Sequence, residues 1–253
     1  MLAPEQLRSY AQEGVLVIPG FFSSAEVGVL HDHAHHGERA LRHAANMPDA
    51  AGRSSRLSLW GNLGNDVFSA VSAHPRMVGC IEALLGEPCY HWHSKVMLKE
   101  PLVGGAWEWH QDYGYWYGDH CLFPRLMSCL VSLDRADRDN GCLKVLVGSH
   151  HLGRIDHGSI GSQHGANPAR VQEAAKQLEL RYLEVDPGTA VFFHCNTLHA
   201  SEANLSARER TSYICCYNAR SNAPSPPTSF HGQPEPIQLA DPDGIMKSLL
   251  VGT

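Results

Sequence analysis

Tyr90-His-Trp-His-Ser-Lys-Val-Met-Leu-Lys99 is the stretch on which the reading of this chain turns. It has no Gly or Pro and is rich in aromatic and branched side chains, the composition of a strand. Comparable runs follow at 107–113, 126–134, 142–147, 180–185, 189–194, 198–203 and 211–219, punctuated by Gly, Pro, Asn and Asp. Many short strands with turn residues between them predict an all-β sandwich or barrel. Before Tyr90 the pattern is different. Pro4 to Glu13 reads as a helix ending near Gly14, followed by an apolar strand, Val15-Leu-Val-Ile-Pro-Gly20. Ser23 and Glu26 form a capping box that predicts a helix running to about residue 44. Pro75 to Leu85 is another helix, stopped by Gly86. Residues 153–179 read as an insertion, first loop and then a helix around Pro168–Leu178.

The 253 residues are 43% hydrophobic, enough for one sizeable core. A single domain is expected, with N-terminal helices over about 1–88, a β core over about 89–220 and a surface tail over about 221–253. The net charge of −6 and the lack of basic stretches argue against nucleic acid, and no apolar run is long enough for a membrane span. Met1-Leu-Ala-Pro-Glu-Gln has no basic start leading into an apolar run, so no signal peptide is read and a cytoplasmic location is expected. The expected partner is a small molecule. None of the eight cysteines forms a C-x-x-C pair, which favours buried thiols, and adjacent Cys215 and Cys216 should face opposite sides of a strand.

The chemistry concentrates in two places. His110-Gln-Asp112 sits in a run where residues i and i+2 share a face, so both side chains can reach one cation. Trp107, Trp109, Tyr113, Tyr115, Trp116 and Tyr117 frame the pair, either as plain core or as the wall of a dry pocket. His199 is the preferred third ligand. His194 is its rival and ranks second, because His199 brings Ser201 and Arg210 within reach. Two histidines and one carboxylate are the ligand set of a non-haem iron(II) oxygenase, although zinc hydrolases also use three protein ligands. Arg210, opening an apolar strand, suits bidentate binding of a carboxylate, with Ser201 as an added donor. By itself Arg210 would read as a surface ion pair near Glu209. Arg53, Arg56 and Trp60 lie in a segment read as a flap over the pocket mouth, and Arg56 or Arg125 could hold an anionic substrate group.

These residues resemble the phytanoyl-CoA hydroxylase family of iron(II)/2-oxoglutarate dioxygenases, nearest its ectoine hydroxylase-like branch. The resemblance rests on Ser94–Lys99, Trp109-His-Gln-Asp112 with Trp116, Pro124-Arg125, Asp139-Asn-Gly-Cys-Leu-Lys-Val-Leu-Val-Gly-Ser-His150 and His199-x-Ser201-x2-Asn204-x5-Arg210. It implies a double-stranded β-helix, a cupin-like jelly roll with flanking helices. It implies Fe(II), 2-oxoglutarate and O2 as cofactor and cosubstrates. His110, Asp112 and His199 would bind the metal; Arg210 and Ser201 would bind the distal carboxylate of 2-oxoglutarate, with His93 and Lys95 on the cosubstrate side. Tyr113, Tyr115 and Trp116 would line the substrate pocket. The implied reaction oxidises, most simply hydroxylates, an unactivated C–H bond of a small metabolite or natural-product intermediate, releasing succinate and CO2. Two departures stand out: the Gln and Asn of the ectoine-type pattern are His93 and Met97, and the Pro before Gly-Ser-His is Val147. The retained Asp112 argues against a halogenase. The competing readings are a cupin-like metal-dependent hydrolase or isomerase that does not use 2-oxoglutarate, and a non-catalytic jelly-roll binding module.

Overall fold

A computed structural model describes residues 2–248. It is a jelly roll of two antiparallel sheets, flanked by helices. In chain order the elements are α1 (Pro4–Glu13), β1 (Val15–Ile18), α2 (Ser24–His36), α3 (Glu38–Arg42), β2 (Ala44–Pro48), β3 (Ser54–Trp60), α4 (Val67–Ser72), α5 (Pro75–Leu85), β4 (Cys89–Lys99), β5 (Trp107–His110), α6 (Asp112–Trp116), β6 (Leu126–Ser132), β7 (Leu143–Leu146), β8 (His157–Ile160), β9 (Gln163–Ala166), α7 (Pro168–Ala175), β10 (Leu180–Tyr182), β11 (Ala190–His194), β12 (His199–Ser201), β13 (Arg210–Ala219) and α8 (Gly244–Lys247). The large sheet has the order β1-β11-β6-β13-β4-β3-β2, and the small sheet β10-β7-β12-β5.

Side-chain alternation divides the apolar residues of the large sheet between two layers. Val96, Met127, Cys129, Val131, Phe192 and Tyr213 face the helices and pack with Phe22, Leu30, Phe68, Met77 and Ile81. Trp92, Leu130, Val191, Phe193 and Ile214 face the small sheet. Each such side chain, fully buried, contributes roughly 1.5–3 kcal/mol. Cys215 falls in the first layer and Cys216 in the second, as alternation requires. All eight cysteines are free and buried. Among the described residues no helix is long and apolar enough to cross a membrane.

Several expectations need correction. The helix opened by the Ser23–Glu26 capping box stops at His36, because Gly37 takes an extended conformation (ψ 138°) before α3 begins. The N-terminal helices are accompanied by two strands that the sequence reading lacked, β2 and β3, which with β1 extend both edges of the large sheet. Arg53 lies in the turn leading into β3, and Arg56 and Trp60 lie in β3 itself, so this segment is not a flap. The strand expected over 107–113 ends at His110, and α6 begins at Asp112. The start of the 153–179 insertion is a hairpin of β8 and β9 rather than loop. The tail does more than wrap the surface, since Gly232 N–H donates to Trp92 O and His231 is buried; residues 249–253 of that tail lie outside the described residues.

Candidate active site

β5 and β12 are neighbours in the small sheet, and His199 sits opposite His110 in their ladder. Two imidazoles distant in sequence therefore meet with ring centroids 4.0 Å apart. The chain leaves β5 through extended Gln111 and turns into α6 at Asp112. Asp112 thus reaches the same point from the first turn of a helix, not from the next-but-one position of a strand. Its Oδ1 lies 3.8 Å from His110 Nε2 and 3.9 Å from His199 Nε2. The three side chains are buried and their ligand atoms fall within 4.8 Å of one another.

Hydrogen bonds orient each donor. His110 Nδ1–H donates to Glu108 O at 2.7 Å and His199 Nδ1–H to Thr197 O at 2.9 Å, which leaves both Nε2 lone pairs facing the centre. Ser128 Oγ–H donates to Asp112 Oδ2 at 2.6 Å, leaving Oδ1 inward. Burial holds both imidazoles below their ordinary pKa, hence neutral. Burial pushes Asp112 upward, but the Lys95 charge, the two imidazoles and the Ser128 bond together outweigh it and keep the carboxyl below its usual range. Two neutral nitrogens and one carboxylate fit ferrous iron.

Two buried basic side chains adjoin this cluster. Arg210 pairs with Lys99 across β13 and β4, so their side chains share a face. Lys99 is fully buried; its Nζ donates to Ser201 Oγ at 2.8 Å and also to Glu202 O. Arg210 is buried, its Nε has no partner, and Nη1 has only a long contact of 3.4 Å to Ser212 Oγ. Burial pushes Arg210 down to about 10. Burial, then the neighbouring Arg210 charge, holds Lys99 well below the usual lysine range. A buried cation left so poorly paired is costly unless an anion arrives. Asn204 shapes the approach: its Nδ2–H2 donates to Lys99 O at 3.0 Å and Arg208 O at 2.6 Å, and this folds the turn that delivers Arg210 to β13.

Along β4 from Lys99, Met97, Lys95 and His93 continue on the inner face. The Lys95 charge acts on Asp112. His93 is buried, its ring centroid lies 5.7 Å from that of Trp116, and its Nε2 has no partner. His93 Nδ1 lies 3.4 Å from His231 Nδ1. His231 stacks on Trp92 at 3.9 Å and its Nε2 bonds Asp119 Oδ2 at 3.0 Å.

The other sequence-predicted residues divide. Tyr115 flanks His110, ring centroids 5.7 Å apart, with its hydroxyl bonded to His164 O. Tyr113 does not line the site: it is buried in the inter-sheet core and its hydroxyl donates to Cys121 O at 3.0 Å. Arg56 alternates with Ser55 and Leu57 and so shares the face of Ser58 and Trp60, which packs on the helices: Ser58 Oγ–H donates to Ala40 O. Arg125 is a surface residue bonded to Glu87 and Ser221. His194 points away from the cluster, its Nδ1 accepting from Asn196 N–H. Three residues escaped the sequence reading: Lys99, His231 and Gln111. Gln111 is fully buried; its amide donates to Gly153 O and Asn196 O, both at 2.8 Å, and its Oε1 accepts from Ile155 N–H at 2.7 Å. Nothing about a lone Gln between two ligands signals such a three-way tie.

Comparison with known proteins agrees with this geometry. The phytanoyl-CoA dioxygenase (PhyH) family profile matches residues 10–212. The chain is 28% identical to L-proline trans-4-hydroxylase of Streptomyces griseoviridis, over 93% of this chain and 95% of that protein. It is 27% identical to the ectoine dioxygenase of Bordetella bronchiseptica, over 94% and 82% of the two chains. Its fold is similar to that of EctD from S. alaskensis, solved with bound Fe (TM-score 0.77) and with 2-oxoglutarate and 5-hydroxyectoine (TM-score 0.75), each at 22% identity and covering 94% of this chain and 87% of that one. The chain belongs to the phytanoyl-CoA dioxygenase (PhyH) family and is a non-haem Fe(II)/2-oxoglutarate-dependent dioxygenase.

Proposed function

We propose that this chain hydroxylates an unactivated C–H bond of a small metabolite or natural-product intermediate, with His110, Asp112 and His199 as its iron ligands. The observation that carries the reading is the junction of two constellations. A neutral His, a neutral His and a carboxylate converge beside a buried, underpaired arginine. Iron(II) with 2-oxoglutarate and dioxygen supplies the oxidant for the C–H bond, with succinate and CO2 as coproducts. Arg210 and Ser201 bind the distal carboxylate of 2-oxoglutarate, and Lys99 holds the Ser201 hydroxyl in place. Tyr115 and Trp116 keep water from the metal side of the pocket. His93 turns a free Nε2 toward a substrate polar group, with Trp116 and His231 on either side, while Met97 offers no polar atom of its own beyond its sulfur.

The substrates in the relatives' names, L-proline and ectoine, are small metabolites, which supports that size class here. The reading includes a reducing, cytoplasmic setting, supported by eight unpaired cysteines. The test is anaerobic titration with Fe(II) and 2-oxoglutarate, followed by succinate release across a metabolite panel. The visible charge-transfer band of the chelated cosubstrate should form in the wild type and fail in Asp112→Ala. Turnover that proceeds without 2-oxoglutarate would sink the reading in favour of a metal-dependent hydrolase or isomerase.

A further inference from the structure

A second group of metal-ligating side chains lies on the helix side of the large sheet. His31 and His35 stand one turn apart on α2 and project from the same face. Both point at Glu209, the residue before β13. His31 Nε2 is 3.3 Å and His35 Nε2 3.2 Å from the same Glu209 Oε1, and the two ring centroids are 4.5 Å apart. These three ligand atoms fall within 4.8 Å of one another. Asp134, just beyond β6, brings Oδ1 to 3.3 Å from His31 Nε2, while its Oδ2 accepts from Thr211 N–H at 2.8 Å.

The spacing is informative. Donors bound tetrahedrally to zinc at about 2.0–2.1 Å stand roughly 3.4 Å from one another. The donor separations of 3.2–3.3 Å match that edge. A hydrogen bond explains any one of these contacts. It explains less well why two imidazoles converge on a single carboxylate oxygen while a second carboxylate meets one of them. Thr211 Oγ1, 3.4 Å from His35 Nε2, is a further polar neighbour, and the Arg56 charge also acts on His35. The side chains are 18–34% exposed, and His31, His35 and Glu209 line a surface depression of about 650 Å³, so an ion has a path in.

We propose that His31, His35 and Glu209 form a zinc(II) site separate from the iron centre, with the Asp134 carboxylate set against His31. Two histidines and one carboxylate are a donor set that zinc accepts, and the Asp134 carboxylate adds negative charge beside His31. Zinc binds such donors more tightly than ferrous iron does. The ion would join α2, in the helical layer, to the first residues of β13 and so brace the backbone next to Arg210.

The experiment is equilibrium dialysis of the full chain against Zn(II), read by elemental analysis, with thermal denaturation in parallel. Because zinc also enters the iron ligands, the wild type should hold two equivalents. The His110→Ala/Asp112→Ala variant should hold one, with a zinc-dependent rise in Tm. Adding His31→Gln and His35→Gln to that variant should remove both the ion and the rise. Glu209→Gln in the same background should weaken zinc binding at least tenfold, a second readout if the quadruple variant is poorly folded. Unchanged zinc stoichiometry on loss of His31 and His35, or a His110→Ala/Asp112→Ala variant that holds no zinc, would overturn the site. Neither result depends on whether the chain uses 2-oxoglutarate.

Discussion

Arg210 is hard to account for without a ligand. A buried cation without a counter-ion costs several kcal/mol, and an apolar side chain of similar volume removes that cost. Arg210→Met is therefore expected to melt at the same temperature as wild type or higher in the absence of ligands. It should lose the rise in Tm that Fe(II) with 2-oxoglutarate gives the wild type. Differential scanning calorimetry with and without the cosubstrate checks both halves. A variant that is less stable alone yet keeps the 2-oxoglutarate response would show Arg210 to be structural. The clustering of His110, Asp112 and His199, with Ser201 and Arg210 nearby, was legible because these residues sit at fixed intervals in a recognisable order. Lys99 was not, since one lysine at a strand end reads as solvated, and only the β4–β13 register turns it inward beside Arg210. Arg56 misled for the opposite reason: an arginine in a serine-rich run reads as loop, whereas pairing with β4 makes it a strand residue facing the helices.

α6 is one turn long, yet it carries Asp112, so what holds it holds the proposed ligand. The β8–β9 hairpin is its buttress: His157 Nε2 accepts from Gln111 N–H at 2.9 Å and its Nδ1–H donates to Ile155 O at 2.8 Å. A Cβ on Gly114 would stand 2.2–2.3 Å from that pinned ring. Gly→Ala in a helix usually stabilises by about 1 kcal/mol; here the sign should reverse. Gly114→Ala is expected to lower stability by roughly 1–3 kcal/mol through overpacking and to weaken iron binding about tenfold. Gly114→Ala/His157→Ala should recover most of the packing loss relative to His157→Ala alone. Urea unfolding of all four proteins gives the coupling, and strict additivity would refute the contact. The hairpin was missed from sequence because its strands, His157-Gly-Ser-Ile and Gln163-His-Gly-Ala, carry almost no apolar alternation. The central strands were legible because burial on both faces makes them continuously apolar; β2, exposed along most of its length, had no such signature.

At the scale of the whole molecule, buried neutral histidines set the acid limit. Burial first, then the Arg39 charge, pushes His91 down to about 3, and burial pushes His194 down to about 4. Unfolded, both rings would titrate near 6.5. Above that value they are neutral in both states and cost nothing. As pH falls below it the unfolded chain takes up protons that the folded chain refuses, so stability is lost progressively towards pH 4, by a few kcal/mol per ring. The melting temperature should fall steeply from about pH 6.5 to 4, and His91→Gln should flatten that slope while leaving the value at pH 8 within a few degrees. An unchanged slope in the variant would move the origin of acid lability elsewhere.

The placement of the cysteines has its own consequence. A protein that handles dioxygen at its centre is exposed to its own stray oxidants, and thiolates are their first targets. Here all eight thiols are buried, and burial pushes Cys142 up to about 11 and Cys89 and Cys121 up to about 12, so these three are almost wholly un-ionised in the native chain. The folded enzyme is thus shielded from self-inflicted sulfur damage, and every opened copy is marked by it. Irreversible thiol oxidation becomes a cumulative record of how often the molecule has come apart.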